Sequence, residues 1–298
     1  MKPTDCRASL QQVAYFKVSI YGLQNCFQLP VILDTDISVS TLHTWPSIKR
    51  KKREGRVKIF STNTCPVPDD IGSVIHHKDE VPAEQGGMNE HQVQKIWKSI
   101  ESLYKTGNYP LITFCLRRQG KILLNRSIGY AQGNSPEGLQ NNALIATPDT
   151  PVCLFSASKM ITAMLIHLLD EKGEINLLDP VSYYIPEYGV NGKRRATIFH
   201  LLAHRGGIPY IDGDVTPDLL FDKEEILKRL YAARPVSPAG NHLAYHAVTA
   251  GYILGEVIER VTGQDLREFV HQTIEKPMGM PYFNYGLKPE YRSEVALN

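Results

Sequence analysis

Apolar side chains fall into a regular spacing from Asn89 onward. Val93, Ile96, Trp97, Ile100, Leu103 and Tyr104 recur at intervals of three and four, which predicts a helix, and Gly107 supplies its stop. Residues 111–116 and 121–130 read as two strands joined through Arg118-Gln119-Gly120, a β-hairpin. A loop rich in Gly, Asn and Pro follows over 133–151. A second helix opens near Ser156 and closes at Gly173. Shorter helices are expected over 196–204, ended by Gly206-Gly207; over 223–233, ahead of Pro235; over 248–261, stopping at Gly263; and over 266–274, running up to Pro277. Helix and hairpin first, then mostly helices, predicts an α+β fold: an antiparallel sheet flanked by helices, with a mostly helical subdomain inserted into or appended to it. No internal repeat is visible.

Residues 1–88 carry no helical period. Short β-like pieces at 13–20 and 29–33 are broken by Gly, Pro, Asn and Asp, and the acidic, Gly-containing stretch 69–87 reads as a linker. The chain is therefore expected to divide into an N-terminal extension with linker, 1–88, and an organised domain, 89–298.

Composition narrows the classes. With 298 residues, 42% apolar and 21% charged, the chain is not a disordered polymer, a coiled coil or a collagen. Lys+Arg 33 against Asp+Glu 31 leaves a net charge of +2, so the whole molecule is not built to hold nucleic acid or an anionic membrane. The basic run Lys49-Arg50-Lys51-Lys52-Arg53, extended by Arg56 and Lys58, reads as solvated loop because no aromatic residues interleave it. No apolar run approaches the roughly 18–20 residues of a membrane span, and the first seven residues lack the pattern of a secretory signal. The five cysteines (6, 26, 65, 115 and 153) are odd in number and scattered without a CxxC pair. They read as reduced thiols of a cytoplasmic protein, not as a disulfide frame or zinc site.

Chemistry concentrates in Phe155-Ser156-Ala157-Ser158-Lys159-Met160. On a helix starting at Ser156, positions i and i+3 share a face with Cβ atoms roughly 5–6 Å apart, so the Lys159 amine reaches the Ser156 hydroxyl. A serine is a poor nucleophile until a base takes its proton. Lysine serves only when uncharged, which calls for burial or a neighbouring cation. Val152, Leu154, Phe155, Met160, Ile161, Met164 and Leu165 are expected to wall the pair with apolar surface. Unpaired N–H groups at the helix mouth would favour a developing oxyanion. Taken alone, the pair is read equally well as an N-cap serine with a solvated lysine. A second copy, Ser102-Leu103-Tyr104-Lys105, runs into Thr106-Gly107. It lies deep in the first helix, where backbone groups are already paired, and reads as an ordinary helix end.

Four landmarks taken in order go further. Phe155-Ser156-Ala157-Ser158-Lys159 is followed by Leu201-Leu202-Ala203-His204-Arg205-Gly206-Gly207-Ile208-Pro209. Then comes Tyr245-His246-Ala247, leading into Gly251-Tyr252-Ile253-Leu254-Gly255-Glu256, and finally Lys276-Pro277-Met278-Gly279-Met280. This series resembles the serine β-lactamase/penicillin-binding-protein superfamily, within it the class C β-lactamase-like branch that includes the family VIII carboxylesterases. The resemblance covers residues 89–298. It implies a β-lactamase-like fold in which Ser156 is the acylated nucleophile and Lys159 the proton acceptor. Tyr245, a helix-flanking core tyrosine if read alone, becomes the tyrosine of Tyr-x-Asn, sharing the proton as general base and returning it to the leaving group. It further implies a small-molecule ester or lactam as substrate, with no metal or cofactor.

Two departures qualify the likeness. Ala247 stands where β-lactamases carry the Asn of Tyr-x-Asn, which favours simple esters over lactams. The family's last motif (Lys-Thr-Gly, His-x-Gly or Trp-x-Gly on a C-terminal strand) is not found after Tyr245. The resemblance therefore implies a member incomplete at its C-terminus. The remaining sheet strands and one oxyanion donor, worth roughly 10²–10³ in turnover, would be missing. Asn241 and His242, in a Pro/Gly loop before the tyrosine, are candidates to line the cleft together with Ala247. His204 is expected to cap its helix, Cys153 to be inert in apolar company, and Ser158 to face away from Lys159. His76-His77 and His242/His246 lack the companions of a metal site. No Gly-x-Ser-x-Gly elbow, Walker loop or Gly-x-Gly-x-x-Gly occurs. β-Lactamase, D-alanyl peptidase or acyl-transfer activity, and a non-catalytic scaffold, are the alternatives to esterase.

Overall fold

The computed structural model describes residues 64–297 and the backbone of Tyr15–Ile20. The basic run 49–58 and the β-like piece 29–33 lie outside the described residues. The chain divides into two compact units: residues up to Val152 together with those from Val295, and Cys153–Glu294.

Among the described residues, the first unit is an antiparallel sheet with one α-helix on it. Its strands are β1 (Tyr15–Ile20), β2 (Ile75–His77), β3 (Leu111–Arg118), β4 (Lys121–Ser135) and β5 (Gly138–Ile145), and its helix is α1 (Glu90–Tyr104). The order is β1-β3-β4-β2, with β5 on the later half of β4. Asn89 starts α1 through a capping box: its side chain accepts from the His91 N–H at 2.8 Å, and Gln92 accepts from the Asn89 N–H. The buried stripe Val93, Trp97, Ile100 and Tyr104 packs on Ile112, Phe114 and Leu116 of β3 and on Leu124 and Ile128 of β4. Period-2 alternation sends Leu111 to a smaller cluster with Ala131, Ala146 and Ala296. The hairpin closes as its sequence requires, with Gln119 and Gly120 both left-handed (φ 49° and 75°) between Arg118 and Lys121.

Gly129, in the middle of β4, has φ 107°, and a Cβ there would stand 2.2 Å from the Pro110 carbonyl and 2.7 Å from the Tyr104 ring. Gly129→Ala is therefore expected to cost at least about 2–3 kcal/mol, read as a lower urea midpoint with an unchanged slope.

Two sequence expectations are corrected here. Residues 69–87 are not a linker. They form a 3-10 turn (Ile71–Val74), strand β2 paired to β4, and a second 3-10 turn (Ala83–Gly86), burying Val74 and Ala83 in the α1 core. The acidic residues that suggested a solvated segment are engaged: Asp70 caps the first turn, and Glu80 makes two 2.7 Å bonds to the Arg126 guanidinium. Burial raises the Glu80 carboxyl, but Arg126 and the Asn125 N–H outweigh it and hold it below the usual carboxylate range. Residues 133–151 are likewise more than a loop, since β4 runs on to Ser135 and turns back as β5. Register shifts and an exposed Gln140-Asn141-Asn142 run hide that strand from its sequence pattern.

The second unit is helical. Its elements are α2 (Ser158–Glu171), α3 (Val181–Tyr184), α4 (Ile198–Leu202), α5 (Lys223–Ala232), α6 (Thr249–Thr262), α7 (Leu266–Val270) and α8 (Lys276–Met278). A π-turn, His271–Glu275, links the last two, so the helix expected over 266–274 is α7 plus this turn. The core joins Leu165, Ile166 and Leu169 of α2 to Ile226 and Leu230 of α5, Ile253, Val257 and Ile258 of α6, and Phe269 and Val270 of α7. Among the described residues, no helix is long and apolar enough to cross a membrane.

Candidate active site

Ser156 sits in a 3-10 turn (Phe155–Ala157) that feeds α2. Phe155 precedes it with φ 44°, a left-handed conformation that costs a non-glycine residue on the order of 1–2 kcal/mol. Two groups converge on the serine oxygen. Lys159, three residues on in the first turn of α2, donates from Nζ at 3.1 Å, and the Tyr245 hydroxyl donates at 2.6 Å. The Lys159 ammonium also stands over the Tyr245 ring, 5.0 Å from its centroid.

Tyr245 reaches the serine because the second landmark is a scaffold for its loop. After α4 the chain turns through His204 (φ 56°), and the loop before α6 is laid along it. The N–H groups of Val236, Gly240 and Ala244 donate to the carbonyls of Gly207, Arg205 and His204, each at 2.9 Å. This approach is why Gly207 is glycine. Its φ is 83°, and a Cβ would lie 2.4 Å from the Ser237 carbonyl oxygen. His246 then docks inward, accepting the Ile208 N–H at Nε2 (3.2 Å), while Thr249 donates to the Ile208 carbonyl. The fourth landmark also leads to the site. Gly279 ends α8 at φ 62°, and beyond it the half-buried Tyr285 donates its hydroxyl to the Ser158 carbonyl at 2.8 Å and bonds Thr162 at 2.5 Å. Burial raises the Tyr285 phenol, partly offset by Thr162.

Several sequence expectations are revised. The helix-mouth amides are not all free: Ala157 N–H donates to Leu154 O, and Ser158 N–H to the Phe155 and Ser156 carbonyls. The apolar wall is partial. α2 buries its Thr162, Leu165, Ile166 and Leu169 stripe, so Phe155, Met160 and Met164 are exposed. Cys153 is exposed too. Asn241, His242 and Ala247 are exposed positions flanking Tyr245, and the bonds joining Ser156, Lys159 and Tyr245 involve none of them. His246 has both ring nitrogens engaged, Nε2 by Ile208 and Nδ1 by the Ala244 carbonyl, which leaves neither for a metal. His76 and His77 are adjacent on β2 and so point to opposite faces. Ser102, in the second Ser-x-x-Lys copy, donates to its own helix at the Lys98 carbonyl.

His204 and Tyr285 were not singled out as site residues. His204 closes α4, donating its N–H to Leu201 O at 3.1 Å, but its ring also packs 4.9 Å from that of Tyr245 and 5.9 Å from that of His246. Tyr285 had one weak signal, the aromatic run directly after the fourth landmark.

An antiparallel sheet carrying α1 and a helical unit presenting these landmarks make up the β-lactamase-like fold. Residues 96–296, more than half of the chain, match the family model described as Beta-lactamase, and the chain belongs to that family. It is 34% identical over 141 residues to the esterase/beta-lactamase LipL of Mycobacterium tuberculosis, covering 47% of this chain and 32% of that protein. It is 26% identical over 212 residues to a putative D-alanyl-D-alanine carboxypeptidase of Salmonella agona, covering 67% and 48%. Among solved structures, a family VIII carboxylesterase superposes with a TM-score of 0.63 at 26% identity, covering 74% of this chain and 56% of the other. The chain thus spans a third to a half of the length of these curated relatives.

Proposed function

We propose that the chain carries a serine hydrolase centre acting on small carboxylic esters, with Ser156 as nucleophile. The observation that carries the reading is the convergence of Lys159 Nζ and Tyr245 Oη on one serine oxygen, at 3.1 and 2.6 Å. In the reacting form Tyr245 Oη, beside the Lys159 ammonium, accepts the serine proton as Oγ attacks the ester carbonyl. Collapse of the tetrahedral intermediate expels the alcohol, which takes the proton from Tyr245. Water then attacks the acyl-enzyme, giving its proton to Tyr245, and the carboxylic acid leaves as Ser156 recovers its hydrogen. With the next two amides engaged, the oxyanion donor this turn offers is the N–H of Ser156 itself.

A second reading, lactam or D-alanyl acyl transfer, draws on the names of the relatives. Ala247 argues against it, because no side-chain amide is present two residues after the tyrosine to hold a substrate amide. An absent hydrogen bond of that kind is worth about 1–2 kcal/mol. kcat/KM for p-nitrophenyl acetate is thus expected to exceed that for a chromogenic cephalosporin by about 10-fold or more. The reverse order would favour the lactam reading, and a folded chain inert to both esters and fluorophosphonate would favour a scaffold.

A further inference from the structure

We propose that His204 is the positioning residue of this centre, gripping Ala244, Tyr245 and His246 at once so that the phenol is held on Ser156. The inference rests on the reading of Tyr245 as the proton-transfer group. The His204 carbonyl accepts the Ala244 N–H at 2.9 Å, its Nδ1 accepts the His246 N–H at 3.2 Å, and its ring lies against the Tyr245 ring at 4.9 Å and 60°. Backbone and side chain of one residue therefore bind both neighbours of the tyrosine and pack on the tyrosine itself.

The grip is locked from the far side. His246 Nε2 accepts from Ile208, so its proton resides on Nδ1, which donates to the Ala244 carbonyl at 2.5 Å. Both flanking peptides are thereby fixed, and the direction in which Tyr245 leaves the backbone is fixed with them. His204 can accept at Nδ1 only as the neutral imidazole protonated on Nε2. Burial, and then the nearby Lys159, favour that neutral form. The left-handed backbone of His204 (φ 56°) is the conformation in which carbonyl and ring address the same segment. Glycine or asparagine adopts it with less strain, so the backbone conformation by itself does not call for an imidazole.

The test compares variants that separate acceptor from ring. His204→Phe keeps an aromatic face without the acceptor, His204→Asn keeps an acceptor and suits the left-handed backbone, and His204→Ala removes both. With p-nitrophenyl acetate, Phe and Ala are expected to lower kcat about 10–100-fold with KM within about threefold, since a displacement near 1 Å costs about 10²-fold. His204→Asn is expected to recover kcat to within about fivefold of the parent, and His204→Ala in a Tyr245→Phe background to add less than about twofold. Folded His204→Ala with kcat within twofold of the parent, a change confined to KM, or full additivity with Tyr245→Phe would each overturn the proposal. Nitrogen NMR of the unmutated chain decides the matter even where variants fail to fold: the Nε2–H tautomer of His204 is expected, and the Nδ1–H tautomer overturns the grip. A parent chain that neither turns over ester nor reacts with fluorophosphonate would defeat the reading of Tyr245 instead, leaving the tautomer to judge the grip alone.

Discussion

Ser156→Ala lowers turnover of p-nitrophenyl acetate by roughly 10³–10⁶-fold while leaving the chain folded. The first half of that expectation follows from the chemistry. The serine oxygen is the atom on which Lys159 and Tyr245 converge, and removing the nucleophile of a unit that acts together removes nearly all that the unit contributes. The second half follows from the packing. Ser156 is half-buried in a 3-10 turn and lies outside the helical core of Leu165, Ile166, Leu169 and their partners. The exposed Tyr245 hydroxyl can take water in place of the lost acceptor. The stability cost is therefore below about 1 kcal/mol. Steady-state kinetics beside a urea titration checks both parts, and a large loss of stability would mean that the activity loss reports unfolding.

Tyr245→Phe is the sharper test of mechanism, because it removes one oxygen and keeps the ring. The contacts with His204 and with the Lys159 ammonium survive in the variant. What disappears is the group 2.6 Å from the serine oxygen. A positioned acid–base group contributes about 10²–10⁴-fold, so kcat is expected to fall by that amount with KM within a few-fold. Acylation and release of the alcohol both slow, since the same phenol serves both. A variant with unaltered kcat would leave Lys159 as the sole base.

How much of this is legible in the sequence depends on distance along the chain. α1 and α2 announce themselves because each buries one stripe, α6 because a long apolar-rich run ends at a left-handed Gly263, and the hairpin because Gln119-Gly120 suits its turn. Helical spacing puts the Lys159 amine within reach of Ser156 but leaves a solvated lysine equally open. The third member of the site has no such signal: Tyr245 is 89 residues from Ser156, and only resemblance, not periodicity, singles it out. β2 has three residues, too few for alternation to show, and β5 is bulged and polar on an exposed edge. His204 and Tyr285 escape for a different reason. Each works through contacts to residues remote in sequence, and nothing in a lone histidine after a helix or a tyrosine in an aromatic run encodes what it will touch. The apolar wall misleads because helix spacing shows which positions share a face, not which face meets the core; Met160 and Met164 lie off the buried stripe of α2.

The most direct measurement is mass spectrometry of the chain after brief exposure to a fluorophosphonate or a slowly hydrolysed ester, with the adduct mapped to a peptide. A single adduct on Ser156 is expected, its rate of formation falling in Tyr245→Phe by about the same 10²–10⁴-fold as turnover. An adduct on Ser158 or another residue, or Ser156 labelling at an unchanged rate without the phenol, would contradict a nucleophile activated by the Lys159–Tyr245 pair.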